Sequence, residues 1–137
     1  TIAEAELLAL SNAPDVLISM QLIGPNISRF QQLKEGYPST QFSSIIDDIQ
    51  AAEALNEAFE GKNTGVYIDL NMGMNRTGIR PEMAFDLIQQ LQKLPHVSLR
   101  GLHAYDGHIR DKEYQEREKH VNFDFVSFYQ FFAKSFF

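Results

Sequence analysis

The sequence predicts an α/β fold, about half of a (β/α)8 barrel of the TIM type. Short β-type runs alternate with longer helical runs in the order α-β-α-β-α-β-α-β-α. The four strand-like runs start at residues 15, 41, 66 and 98, so successive starts lie 26, 25 and 32 residues apart. That is the spacing of parallel strands joined by crossover helices. The rival architecture is a doubly wound sheet, but its dinucleotide-binding G-x-G-x-x-G fingerprint is absent. Barrel units average about 30 residues, so four of them make about half a barrel. A chain of 137 residues suits one domain, although these motifs belong to a fold nearly twice as long.

The elements follow from spacing and punctuation. Thr1 to Leu10 reads as a helix with Ile2, Ala5, Leu8 and Ala9 on one face, stopped by Asn12-Ala13-Pro14. Asp15 to Gln21 is the first strand. Gly24-Pro25-Asn26 is a turn with Asn26 as N-cap, and Ile27, Phe30 and Leu33 line the helix that Gly36 and Pro38 end. Gln41 to Asp47 is the second strand. Asp47 or Asp48 caps the next helix, whose apolar face is Ile49, Ala52, Leu55 and Phe59, and Gly61-Lys62-Asn63 closes it. Val66 to Asn71 is the third strand, followed by a glycine-bearing loop from Met72 to Arg80. Pro81 suits the first turn of a helix whose buried stripe is Ala84, Leu87, Leu91 and Leu94. Pro95 ends it, Ser98 to Tyr105 is the fourth strand, and a last helix begins near Asp111 or Lys112.

These elements occupy residues 1–121. Residues 122–137 hold seven of the eleven phenylalanines, spread over most of a helix circumference. Either this tail is a helix buried on all sides, or it is not native sequence, the reading frame having been lost near Val121.

Composition excludes several classes. Hydrophobic residues make up 44% and charged residues 22%, which is ordinary globular usage and not that of a disordered chain. No apolar run of about 18 residues is present, so a transmembrane helix is not expected. Twelve basic against 18 acidic residues give a net charge of −6, which argues against a nucleic-acid partner. The absence of cysteine removes disulfides, cysteine-ligated zinc, iron–sulfur clusters and thiol nucleophiles, and fits a cytoplasmic setting. The opening residues show no signal peptide and no Met, so an upstream part is expected to be missing.

Alternation sorts each strand into two faces. Val66, Ile68 and Leu70 face helices, while Tyr67, Asp69 and Asn71 face inward. Leu102 and Ala104 face helices, while Gly101, His103 and Tyr105 face inward. On the same rule Ser43, Ile45 and Asp47 point inward from the second strand, and Leu17, Ser19 and Gln21 from the first. All four strands thus end in inward polar groups, as a shared mouth at the C-terminal face of a barrel requires. The competing account is four strand ends turning into solvated loops.

Two motifs carry chemistry. Asp69 to Ile79 (DLNMGMNRTGI) runs a strand into a loop with Gly73 and Gly78 bracketing Arg76. An arginine fixed there can donate to a phenolate, carboxylate or phosphate, or it can brace the loop by pairing with Asp69 or another carboxylate. Arg100 to Ile109 (RGLHAYDGHI) concentrates titratable groups. His103 can transfer protons or stack on a ring, and Tyr105 can hydrogen-bond or pack against a heterocycle. Asp106 and His108 supply only half of a metal set, so no metal site is assigned.

Together, DLNMGMNRTGI and LRGLHAYDGHI resemble the alanine racemase N-terminal-type barrel. The resemblance is closer to its D-threonine aldolase and D-serine dehydratase-like branch of pyridoxal-phosphate enzymes. It covers Thr1 to about Val121 and leaves out the Phe-rich tail. It implies pyridoxal 5'-phosphate held as a Schiff base on a lysine at the end of the first barrel strand, upstream of Thr1. None of Lys34, Lys62, Lys93, Lys112, Lys119 and Lys134 fits that role, since all fall on helices, loops or the tail. It also implies a divalent metal in a C-terminal domain of some members. Residue by residue, Arg76 matches the arginine that contacts the cofactor. His103 and Tyr105 lie on the strand beside the pyridine ring, with His103 the catalytic candidate.

The resemblance therefore implies a fragment of an enzyme acting on D-amino acids, first by aldol cleavage of D-3-hydroxy amino acids, with racemisation or dehydration behind it. A small amino-acid substrate, no nucleic acid, no membrane and a homo-oligomer are the expected partners. This chain alone is expected to be inactive. Two other classes stay open: a non-catalytic cofactor carrier, and an unrelated barrel that binds a sugar phosphate. A lysine at the end of the upstream strand would exclude the last, and the presence of a C-terminal domain would separate enzyme from carrier.

Overall fold

In the computed structural model, which describes residues 1–122, Thr1 opens α1 (Ile2–Leu10) through a reciprocal cap with Glu4. The Thr1 hydroxyl accepts from the Glu4 amide at 3.3 Å while the Glu4 carboxylate returns to the Thr1 hydroxyl and amine. Strand β1 (Asp15–Ile18) follows, then α2 (Pro25–Gly36), β2 (Gln41–Ile46), α3 (Ile49–Ala58) and β3 (Thr64–Leu70). A 3-10 turn over Pro81–Met83 leads into α4 (Ala84–Leu91), and β4 (Val97–Ala104) completes the sheet. Residues 114–122 are helical, so that helix starts slightly later than Asp111 or Lys112. The alternatives for the Phe-rich tail lie outside the described residues.

The sheet runs β1-β2-β3-β4 with every pair parallel. The strand spacing therefore translated directly into an unreversed strand order, the arrangement of consecutive barrel strands. One face of the sheet is covered by helices. Val16, Ile18, Phe42, Ile46, Val66, Ile68 and Leu70 pack there against the buried faces of the helices. Phe30 of α2 meets Phe59, just past α3, edge to face at 5.8 Å and 64°. Their rings carry Lys34, whose ammonium lies 5.6 and 5.2 Å from the two centroids. Burial and the nearby Arg100 charge push the Lys34 pKa down.

Three local expectations are corrected, and the choice between Asp47 and Asp48 as a helix cap is settled. Asn26 is not the N-cap of α2: Gly24, at φ +55°, caps it and Pro25 takes the first helical position. The third helix is capped by Asp48, which accepts the Ala51 amide at 2.9 Å. Leu8 is 48% exposed, because it sits beside the free edge of β1 and not under the sheet. β1 also ends at Ile18, which removes Gln21 from the strand.

The main departure is a β-bulge. Val66 lies opposite Leu99 but Tyr67 lies opposite Gly101, leaving Arg100 as the extra residue. Strict alternation would group Arg100 with Leu102 and Ala104 on the helix side. Instead its guanidinium crosses the interior, donating to Ser43 Oγ at 2.8 Å and Asp15 Oδ2 at 2.9 Å and lying 5.8 Å over the Tyr67 ring. Gly65 makes room for it, since a Cβ there would stand 2.4 Å from Arg100 Cδ. Among the described residues no helix is long and apolar enough to cross a membrane.

Candidate functional site

The C-terminal end of the strands forms the mouth, and the loop after β3 shapes it. Asn71 organises the loop: its side-chain oxygen accepts the amides of Gly73 at 3.1 Å and Asn75 at 3.0 Å, and its amide group donates to Asn75 Oδ1 at 2.9 Å. At the far end the Asn71 amide donates to Ile79 O at 2.8 Å and the Ile79 amide to Asp69 O at 3.0 Å. The loop therefore zips back onto the strand it left. Gly78 allows this, with φ +89° and only 2.6 Å between an imagined Cβ and the Leu70 carbonyl carbon. Arg76 projects from a loop pinned on both sides, and its guanidinium lies 5.7 Å over the Tyr105 ring.

Asp47 secures the loop from the neighbouring strand. Its Oδ2 accepts the Gly78 amide at 3.0 Å. Burial raises the Asp47 pKa most, with Asp48 and Asp69 adding to the rise and the Gly78 amide opposing it.

Below the loop, Asp69 and His103 stand level on adjacent strands. His103 Nδ1 lies 2.7 Å from Asp69 Oδ1, and the Asp69 side chain is 4% exposed. The bulge at Arg100 sets this register. A cavity of about 250 Å³ opens above the pair, lined among others by Ser19, Asp69, Arg76, Thr77, His103 and Tyr105. It offers an aromatic face, a guanidinium, an imidazole and hydroxyls to one small polar ligand.

The three residues singled out as site candidates, Arg76, His103 and Tyr105, all line this one cavity. Of the other inward polar groups, Ser19, Asp69 and Asn71 join them, Asn71 while also organising the loop, whereas Asp47 serves the loop alone. Gln21 is not among the lining residues, and Tyr67 lies lower, beneath Arg100. Asp69 pairs with His103 through Oδ1, and Arg76 lies over the Tyr105 ring. Met72, Met74 and Thr77 of the loop also line the cavity; their only signal in the sequence is their place in the glycine-bearing loop that carries Arg76. Among the described residues no three histidine or carboxylate groups are gathered to hold a metal ion.

The family model for the alanine racemase N-terminal domain matches residues 2–134. Among solved structures, D-threonine aldolase from Filomicrobium marinum superposes with a TM-score of 0.80 at 26% identity, over 90% of this chain and 34% of its own. Alanine racemase from Clostridium difficile 630 gives 0.62 at 16% identity, over 98% of this chain and 40% of its own. Alanine racemase from Bacillus anthracis with bound L-Ala-P gives 0.66 at 15% identity, over 98% and 33%. The two racemases share the fold with this chain. The chain spans about a third of the length of the aldolase it matches. A comparison with curated proteins found no match.

Proposed function

The chain belongs to the alanine racemase N-terminal domain family, and from that premise we propose that it forms part of a pyridoxal-phosphate enzyme that cleaves D-3-hydroxy amino acids to glycine and an aldehyde. The observation that carries the reading is the convergence of Arg76, Tyr105 and the Asp69–His103 pair on one cavity at the strand ends. The likeness to D-threonine aldolase favours aldol cleavage over racemisation.

The cavity suits the cofactor in part. An aromatic face and a fixed guanidinium match a heteroaromatic ring bearing an anionic oxygen. Among the described residues no lysine lines the cavity. Lys34 points to the opposite end of the strands, where it donates to Asn63 O at 3.1 Å and Thr64 Oγ1 at 3.3 Å. In this reading the lysine and the phosphate contacts come from parts of the protein beyond this chain.

When bound, pyridoxal phosphate supplies an electron sink for the pair released as a bond beside the amine carbon breaks. Tyr105 would pack against the ring, and Arg76 would donate to an anionic oxygen of the cofactor or of the substrate carboxylate. His103 takes the 3-hydroxyl proton at Nε2: the O–H bond breaks, the N–H bond forms, and the oxygen keeps the electron pair. The enzyme is proposed to act in the cytoplasm.

The test is an assay of the complete protein with pyridoxal phosphate and D-threonine. Glycine and acetaldehyde are expected from the D but not the L isomer. Racemisation alone would reassign the reaction, and bound cofactor without turnover would make the protein a carrier. Absence of cofactor binding would overturn the reading. The chain alone, reduced with borohydride in the presence of the cofactor, should give no stoichiometric adduct at one lysine.

A further inference from the structure

We infer that Asp69 is a positioning residue that fixes the tautomer of His103, turning Nδ1–H to the strand and offering Nε2 to the cavity. The inference rests on the proposed proton-transfer role of His103 for its consequence in catalysis, but its structural content stands apart from the cofactor.

The argument begins with what each group can do. An ionised carboxylate only accepts hydrogen bonds, so the hydrogen between Asp69 Oδ1 and His103 Nδ1 belongs to the imidazole. The separation of 2.7 Å is that of a charge-assisted bond. With Nδ1 protonated, a neutral ring carries its lone pair on Nε2. That nitrogen has no hydrogen-bond partner among the described residues, and His103 lines the cavity.

Burial makes the arrangement more than a chance surface pair. The side chains of Asp69 and His103 are 4% and 24% exposed. The chain contains its own comparison: His120 Nδ1 also lies 2.7 Å from a carboxylate, Asp111 Oδ2, with side chains 60% and 29% exposed. The two pairs share a distance but not a setting. His120 and Asp111 are joined along one segment near the surface. Asp69 and His103 are brought level by two adjacent strands and a bulge. Asp69 is further held through its own backbone oxygen, which accepts the Ile79 amide at 3.0 Å and ties the carboxylate's strand end to the Arg76 loop.

A carboxylate so placed has two effects on a proton-transfer imidazole. It selects the ring nitrogen that meets the substrate, and it stabilises the imidazolium that forms when that nitrogen takes a proton. Asp69→Asn separates these from packing. The variant is nearly isosteric, but its amide can donate to Nδ1 and so favour the opposite tautomer, with hydrogen on Nε2.

The test has two arms. Nitrogen-15 spectra of the wild-type chain, at a pH where the imidazoles are neutral, should show His103 with hydrogen on Nδ1 and an unprotonated Nε2. A tautomer mixture like that of a solvent-exposed histidine, or hydrogen on Nε2, would overturn the inference. In the complete protein loaded with cofactor, Asp69→Asn should lower kcat by about tenfold or more, with cofactor affinity and KM little changed. Asp69→Glu, which keeps the charge, should recover part of the loss. Wild-type turnover in Asp69→Asn would overturn the inference while leaving the aldolase reading intact. A wild-type protein that binds no cofactor, but shows the stated tautomer, would overturn the aldolase reading and leave the structural content standing.

Discussion

Arg76 has little freedom, because Asn71 and Asn75 hold the first half of its loop and Gly78 closes the second against β3. A guanidinium is a fixed cation with a planar fork of donors, suited to an anionic oxygen. A charge-assisted hydrogen bond contributes about 1.5–3 kcal/mol. In the complete protein, Arg76→Ala should therefore weaken cofactor binding or turnover by about ten- to a hundredfold, measured by cofactor titration and steady-state kinetics. Arg76→Lys should recover only part, since a point charge does not reproduce the planar fork. A variant with unchanged affinity and turnover but a lower Tm would make Arg76 structural. Asp47 gives a pH signature at the same scale. Its carboxyl has a raised pKa in the folded chain, chiefly through burial. The folded state therefore binds that proton more tightly than the unfolded state. The stabilising contribution is fully present below the ordinary aspartate range and is lost as pH rises through the raised value. Asp47→Asn keeps an acceptor for the Gly78 amide and removes the titration. Thermal melts between about pH 3 and 7 should show the Tm difference moving in favour of the variant as pH rises. A difference that does not change with pH would refute this.

The bulged strand β4 is the element on which both ends of the interior depend. Its extra residue sends Arg100 across β3 and β2 to Asp15 at the start of β1, while three residues later His103 meets Asp69. The bond to Asp15 raises the Arg100 pKa and links strands that are not neighbours. Such a brace constrains how far the four strands curve. Arg100→Ala leaves Ser43 and Asp15 without these partners, and about 1–3 kcal/mol of stability should be lost. Denaturant melts measure it. Gly65→Ala should have a milder effect of the same sign, because a Cβ would displace the arginine stem. If neither variant shifts the midpoint, the brace contributes nothing.

At the scale of the whole molecule, the sheet has two edges. Among the described residues β1 pairs only with β2, and β4 only with β3. Leu7, Leu8 and Leu10 of α1 and Leu99 of β4 are exposed. Unpaired strand edges beside exposed apolar groups favour association. The chain on its own should form dimers or larger species in a concentration-dependent manner, seen by sedimentation velocity. A single monomeric boundary with cooperative unfolding would count against this.

Periodicity and punctuation alone determined the number of strands, their parallel order, the helices between them and the inward set to which Asp69, His103 and Tyr105 belong. These are local properties: a period of two assigns a face, and Gly73 and Gly78 mark a loop that must turn back. The loop motif also carried the family resemblance, since Arg76 needs its neighbours in sequence and not its neighbours in space. What only the tertiary structure decided was pairing across elements. Register belongs to two strands at once, so nothing in either strand alone shows that Asp69 stands level with His103 and not with Leu102. The bulge that sets this level is a one-residue slip at Arg100-Gly101, and alternation read along a single strand passes over it. The same reason explains Leu8, whose helical spacing matched a buried face but whose exposure depends on a free strand edge beside it. It also explains Asp47, an inward carboxylate whose oxygen is taken by the amide of a loop 31 residues away.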